Sequence, residues 1–558
     1  MAKNNSSQSK HRWLWGIGYF LGGILILLII AQVLVSLFAD DYAANYLKEQ
    51  VNSSSDSPYT LDFDDLDLNV FSGSATISNL RISADTSAFS DSLSSNKKPP
   101  KTLFSGTVGE VDVGGVNVIS GVWGNELHIG SITITEPDIS ALKNPQKVPK
   151  DSSGQFASID SSIYARISNR YKALEIGEFN IRDAHGLFSQ SGDTLASVGQ
   201  LNLNLQNIRV DSASARSGRT FVTDDISLNL NHFMINLADS VNKVKVDNVD
   251  ISSADQRIAM DSLELIPRYP RFEYSRKNGL RKDRIDLLVP DLELSAVDFT
   301  AYADSGRFYA QYGEINDVRF EDFLNKAADG GPQKSKTMKF VAFRTLDQPI
   351  KIDSLKVNNA FISYSEYAGN TPKSGTVTFE QLNGIFRNIS NYPDDIEKGL
   401  TTTFDARAQV MGSGPLDVHF DFPMDTKEGF HKINGTLGSM AMTDFNPILE
   451  HVAFVRVDRG MLNSLEFEMT LDDNRSNGTL IMKYENLKIS VLNKESLKQK
   501  GLKENIFTFL ANNVMIKKNN VPGEDMQAGP IRFERDRTKS MFNYWWKSLL
   551  SGIKESVK

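Results

Sequence analysis

The sequence predicts a mostly β protein that follows one N-terminal transmembrane helix. Beyond residue 40, apolar and polar residues alternate with period two in roughly two dozen short segments, as in strands with one buried face. Residues 201–205 (LNLNL) and 226–230 (ISLNL) are clear examples. Gly, Asn, Asp and Ser separate these segments, and helical periodicity is rare. Residues 59–63 and 66–70 alternate in opposite phase, which predicts a β-bulge or a bend between them.

The predicted anchor is residues 13–38, an uninterrupted run without a charged residue. At about 1.5 Å per residue this run is long enough to cross a hydrocarbon core of about 30 Å. It also exceeds the ~7–15 apolar residues of a cleavable signal peptide, so we expect an uncleaved span. Trp13 and Trp15 are placed for the membrane interface. Gly18 and Gly22 have the spacing of a helix-pairing motif, although glycine is common in membrane helices generally.

Charged residues around the anchor predict its orientation. Lys3, Lys10 and Arg12 precede the run, whereas Asp40 and Asp41 follow it. Because positively charged flanks stay on the cytoplasmic side, we expect a cytoplasmic N-terminus and export of everything after the span.

Composition argues against several functional classes. The chain has no cysteine, which excludes disulfides, thiolate metal sites and cysteine nucleophiles. Its net charge of -8 does not favour nucleic-acid binding. The common nucleotide, esterase and zinc motifs are missing, and the seven histidines are scattered. His419 and His431 come nearest to a ligand pair, but positions on neighbouring strands explain them more simply. We expect no enzyme activity, no cofactor and no metal site.

The apolar faces of so many strands must be covered, and the pattern leaves two solutions open. Facing sheets can pack against each other as β-sandwiches. Alternatively, one long curved sheet can line an apolar concavity. Both arrangements give the same period-two alternation, so the pattern does not distinguish between them.

Several segments of the chain resemble the AsmA-like family of bacterial envelope proteins. In the last third these are residues 350–364 (IKIDSLKVNNAFISY), 406–423 (ARAQVMGSGPLDVHFDFP) and 478–492 (GTLIMKYENLKISVL). Residues 59–82 are similar to the opening hairpin of that family. The chain resembles a short member. The resemblance implies an elongated, twisted antiparallel β-sheet that forms a repeating groove, with few short helices.

The resemblance also implies a location and a function. The anchor would lie in the bacterial inner membrane and the body in the periplasm, where it would shield or transfer glycerophospholipid and so support outer-membrane biogenesis and envelope homeostasis. The expected partners are phospholipid and the inner membrane. An exported β-rich scaffold that binds another envelope protein, without carrying lipid, is the alternative. The candidate groove-lining residues are Leu203, Leu205, Leu228, Leu230, Val377 and Phe379.

The C-terminal residues predict an amphipathic helix. Apolar and aromatic residues recur at helical spacing, and lysines lie on the other side. This pattern is typical of a helix at a membrane interface. A helix that packs over the last strand and covers its edge fits equally well. The proposed interfacial residues are Phe542, Trp545, Trp546, Leu549 and Ile553.

The predicted organisation follows from these segments. A cytoplasmic N-terminus (1–12), the anchor (13–38) and a juxtamembrane segment (39–57) precede the first β region. The body then comprises residues 58–330, a linker at 331–348, the AsmA-like β region at 349–535 and the C-terminal helix at 536–558.

Overall fold

A computed structural model provides the structure. It describes residues 58–69, 71–89, 100–117, 125–145, 168, 171–213, 223–278, 282–328, 335–369, 373–426, 428–492, 516–523 and 526–558. The fold is mostly β, with 63% strand, 14% helix and one large mixed sheet, which confirms the predicted fold class at this level.

The strands are long and follow one another closely. They are β1 (Tyr59–Asp62), β2 (Asp65–Asn69), β3 (Ser74–Ala84), β4 (Thr102–Gly114), β5 (Glu126–Lys143), β6 (Ala173–Gln190), β7 (Asp193–Asp211), β8 (Asp225–Asn236), β9 (Asn242–Ser252), β10 (Arg257–Pro267), β11 (Arg284–Val297), β12 (Phe308–Asn316), β13 (Arg319–Asn325), β14 (Ile350–Tyr367), β15 (Gly375–Ser390), β16 (Thr401–Val410), β17 (Gly414–Pro423), β18 (His431–Leu437), β19 (Met440–Ala441), β20 (Val455–Leu471), β21 (Arg475–Val491) and β22 (Ala528–Glu534).

Most helices in the described part of the chain are short. They are α1 (Arg271–Asn278), α2 (Phe299–Ser305), α3 (Lys339–Arg344), α4 (Pro393–Glu397), α5 (Asn446–Ile448) and α6 (Met541–Ser556). A 3₁₀ turn (Met442–Phe445) and a π turn (Leu449–Ala453) flank α5. No helix within the described residues is long and apolar enough to cross a membrane. The predicted anchor, including Trp13, Trp15, Gly18 and Gly22, lies outside those residues and stays a prediction.

The chain divides into two compact units. Among the described residues, the first unit lies within 58–236, 246–259 and 298–306, and the second lies within 237–245, 260–297 and 307–558. The predicted linker at 331–348 falls inside the second unit and includes α3. Met338, immediately before α3, is only 1% exposed.

In the first unit, β1 and β2 both pair with β3, and antiparallel pairs lead from β3 to β5 and from β6 to β8. β5 and β6 run parallel. In the second unit β14 runs parallel to both β12 and β13. The prediction of an antiparallel sheet is therefore wrong at these pairs. Period-two alternation is the same in either direction, and the residues between β5 and β6 are numerous enough for the crossover that parallel pairing needs.

Cross-strand apolar rows explain why the first unit folds as it does. Residues paired between neighbouring strands project to the same face, so one apolar residue per strand builds a continuous row. One such row contains Ile77, Val111, Ile134, Ile181, Leu203 and Leu228. Nearer the N-terminus the interior is filled: Ile132 and Leu174 are 0% exposed and belong to one buried cluster.

Ile132 should contribute strongly to stability because its side chain is fully enclosed. We expect Ile132→Ala to lower the free energy of unfolding by about 2–5 kcal/mol, measured by urea denaturation. Leu187→Ala is the matched control in the same unit, because Leu187 is 41% exposed. Its cost should stay within about 0.5 kcal/mol. Equal losses for the two variants would contradict this description of the core.

Candidate functional site

The second unit contains an apolar cavity of about 750 Å³. This volume falls within the ~300–1,000 Å³ typical of small-molecule sites. Inward-facing residues of β14 to β21 form one side, and α6 contributes the other. Among the described lining residues only Lys339 and Thr402 have polar side chains. The cavity is therefore suited to hydrocarbon.

One cross-strand row supplies much of the sheet side of the cavity. Its members face each other in register on six strands and all line the cavity: Leu355, Phe386, Phe404, Phe420, Ile433 and Met469. The rings of Phe386 and Phe404 stack with centroids 3.9 Å apart and an interplanar angle of 13°. Phe420 continues the series, 5.9 Å from Phe404 and 5.2 Å from Trp545 of α6.

The predicted C-terminal helix is present as α6, and one of its faces borders the cavity. The helix begins after Ser540, whose hydroxyl accepts a hydrogen bond from the backbone N–H of Asn543 (3.3 Å). Gly552 lies so close to β22 that a Cβ on Gly529 would overlap the Gly552 carbonyl oxygen. The residues predicted to be interfacial all line the cavity: Phe542, Trp545, Trp546, Leu549 and Ile553.

Two buried polar contacts fix α6 to the sheet. The indole N–H of Trp545 donates to Nε2 of His431 (2.8 Å), so Nδ1 carries the imidazole proton and donates to the Gly429 carbonyl (2.9 Å). The Ser476 hydroxyl donates to Oγ of Ser548 (2.7 Å). His431 and Ser548 are 0% exposed, and Ser476 is 1% exposed.

The predicted groove-lining residues divide between the two units. Val377 and Phe379 of β15 line the cavity. The four leucines, Leu203, Leu205, Leu228 and Leu230, belong to the first unit and are not among the residues that line it. There Leu203 faces Leu228 across β7 and β8, so the apolar face expected from the alternation exists.

The opposite face of the same strands is polar. His419 contacts Asp405 through Nδ1 (2.6 Å) and Asp421 through Nε2 (3.1 Å), and Arg387 donates to Asp405 (2.6 Å). The hydrogen bond to Asp405 raises the pKa of His419, and the same bond lowers the pKa of Asp405. Within the described residues, no group of three or more His, Cys, Asp or Glu side chains could hold a metal ion.

No protein-family model matches this sequence, and a search of curated proteins also finds no match. The AsmA-like resemblance therefore stays a prediction.

Sequence reasoning missed most of the cavity. The alternation that located Val377 and Phe379 continues through β16 and β17, where it marks Phe404 and Phe420 as inward-facing residues. The contact between His431 and Trp545 had no sequence signal, because the two residues lie far apart in the chain.

Burial of His431 makes the stability of the second unit depend on pH. Desolvation lowers the pKa of this imidazole from 6.5 to about 4, against a smaller opposing effect of its bond to Gly429. Between these values the unfolded chain binds more protons than the folded one, so the free energy of unfolding falls as the pH decreases from 6.5 to 4. At about 1.4 kcal/mol per pKa unit, the loss is roughly 3 kcal/mol.

We expect His431→Gln, whose amide oxygen can still accept from Trp545, to lose less stability over this pH window in thermal unfolding experiments. His419→Gln is the matched control. Since the folded pKa of His419 is raised, its stabilising contribution is already present below pH 6.5, so its replacement should lower the free energy of unfolding by a nearly constant amount from pH 6.5 to 4. An unchanged profile in His431→Gln would show that this imidazole is not the acid-sensitive group.

Proposed function

We propose that this chain shields or transfers glycerophospholipid by sheltering its hydrocarbon in the cavity under α6, and that it thereby supports outer-membrane and envelope homeostasis. The observation that carries the proposal is the apolar lining of a cavity of about 750 Å³. Each CH₂ group moved from water into such a site is worth about 0.8 kcal/mol. Binding and release need no catalytic residue, so the proposed activity is not enzymatic.

The proposal includes a location and a family type. We propose an inner-membrane anchor at residues 13–38, a periplasmic body and membership of the AsmA-like group. The long uncharged run and the resembling segments support these points. The finer architecture, an elongated twisted β-groove, belongs to the same proposal. It is supported by the apolar rows that cross strand after strand on one face.

In this proposal α6 acts as a lid. The aromatic and aliphatic face that suits a membrane interface is the face that borders the cavity. One face cannot contact the cavity and the bilayer at once, so membrane contact requires α6 to leave the sheet. Release would open the cavity beside the bilayer from which a lipid enters.

A second function is favoured by one observation. The N-terminal part of the first unit has a filled interior, where many core side chains are no more than 4% exposed. A filled core suits a scaffold that binds another envelope protein without carrying lipid. The two functions differ in whether the purified protein contains lipid.

Lipid occupancy can be measured directly. We expect organic extraction of the full-length protein, followed by mass spectrometry, to yield phospholipid. Phe404→Asp should reduce the lipid recovered per protein, because a carboxylate in the apolar cavity is costly to desolvate. Thr403→Asp, on the opposite face, faces Arg387 across the strand pair and should leave the yield unchanged. If the wild-type protein has no lipid, or the two variants behave alike, the scaffold function is favoured instead.

The lid can be locked with a disulfide. Ser476 and Ser548 have hydroxyl oxygens 2.7 Å apart, which brings their Cβ atoms near the ~3.5–4.5 Å of a disulfide. Because the chain has no cysteine, Ser476→Cys with Ser548→Cys offers a single possible intramolecular bond. Oxidation should slow uptake of labelled phospholipid from vesicles, and reduction should restore it. The single variants are the controls; equal uptake in both redox states would show that α6 need not move.

A further inference from the structure

The inward side of the second unit changes from apolar to charged beside the cavity. Ile362 of β14 lines the cavity, and the next two residues on the same face are Tyr364 and Glu366. Asp322 of β13 is paired with Tyr364. The Tyr364 ring lies 4.8 Å from the Phe542 ring of α6, so this polar region directly adjoins the apolar lining.

Two carboxylates of this region each have one oxygen that accepts no hydrogen bond from the described residues. Asp322 is 8% exposed, and its Oδ1 accepts no hydrogen bond from the described residues. Asp283 is paired with Lys336 through Oδ2 (2.6 Å), but its buried Oδ1 likewise has no partner there. Glu366 is satisfied, since it pairs with Lys326 and accepts from the Tyr364 hydroxyl (3.1 Å). Two buried carboxylate oxygens therefore lack a hydrogen-bond donor among the described residues.

The charge of Asp322 is poorly compensated. Desolvation and the neighbouring charge of Asp283 raise its pKa to about 7, against the opposing charges of Lys336 and Lys339. A cationic donor that reaches this carboxylate would satisfy both its charge and its free oxygen.

Two lysines that form no ion pair with a described residue lie near these carboxylates. Lys339 is exposed, lines the cavity and is close enough for its charge to act on Asp322. Lys547 of α6 is half-buried near Lys326 and Glu366, and burial lowers its pKa. Neither lysine forms an ion pair with another described residue. Each can therefore bind an anionic group such as a phosphate.

We propose that Asp322, Asp283, Lys339 and Lys547 bind the head group of a phospholipid that carries both a phosphate and a primary ammonium group, as phosphatidylethanolamine does. The ammonium N–H groups donate to the free carboxylate oxygens, and the lysines bind the phosphate. The acyl chains then lie in the adjoining apolar cavity. This inference rests on the proposed function and adds the class of lipid.

Three lipids with different head groups test whether binding needs an ammonium group that can donate a hydrogen bond. The full-length, delipidated protein is incubated with vesicles of phosphatidylethanolamine, phosphatidylglycerol or phosphatidylcholine, and bound lipid is quantified by mass spectrometry. Phosphatidylglycerol has the phosphate without an ammonium group, and phosphatidylcholine has an ammonium that cannot donate. We expect phosphatidylethanolamine to be preferred by about tenfold over either, the effect of one charge-assisted hydrogen bond.

Two variants test the two halves of the site. Asp322→Asn should bring the preference for phosphatidylethanolamine over phosphatidylglycerol down to about twofold or less, while Lys547→Gln should reduce loading of both lipids alike. Lys432→Gln, an exposed lysine on β18, is the control and should change neither. Since the raised pKa indicates that ionised Asp322 does not stabilise the fold, Asp322→Asn should melt no lower than the wild type at pH 8.

The outcomes distinguish the two proposals. Equal loading of phosphatidylethanolamine and phosphatidylglycerol by the wild type, or an unchanged preference in Asp322→Asn, overturns the head-group site and leaves lipid binding intact. Absence of loading from every vesicle overturns both. O-phosphoethanolamine has the same charged groups without acyl chains. Its retention after gel filtration, without lipid binding, would overturn the assignment to a lipid.

Discussion

The width of the apolar face in the second unit is the constraint on which that unit depends. Most strands contribute an apolar residue to each inward row, so the inward side of this sheet presents a wide apolar surface. α6 covers part of this surface, and the cavity lies between its aromatic face and the strands. The polar outer face needs no cover, because Asp405, His419 and Arg387 form a hydrogen-bonded network at the surface.

The polar contacts of α6 determine its position on the sheet more than they add to stability. An indole N–H buried without an acceptor would cost about 1–3 kcal/mol, and His431 supplies that acceptor. In the same way, the hydrogen bond between Ser476 and Ser548 satisfies two buried hydroxyl groups. Polar contacts of this kind place the helix in one register on the sheet. Their net contribution to stability is modest, because water satisfies the same groups in the unfolded chain.

The sequence was sufficient for the features that depend on local pattern. Alternation in residues 226–230 located the interior of β8, and helical spacing located α6. The phase change after residue 63 marked the break between β1 and β2, which lies opposite Asn79, a residue with a φ of 52°. Features that depend on contacts between residues far apart in the sequence could not be predicted. Strand direction leaves the alternation unchanged, so the parallel pairing of β5 with β6 could not be predicted from the alternation. The same holds for Asp322, which becomes unusual only because folding buries it beside Tyr364.

The position of α6 in the chain order has a consequence for biosynthesis. Every strand that borders the cavity precedes this helix, so the nascent polypeptide can complete its sheet before the helix that covers it has been translated. During that interval the row from Leu355 to Met469 faces water or any apolar surface nearby. Docking of α6 is therefore the step that completes the cover of this row, and it can occur only after the strands that border the cavity have been translated.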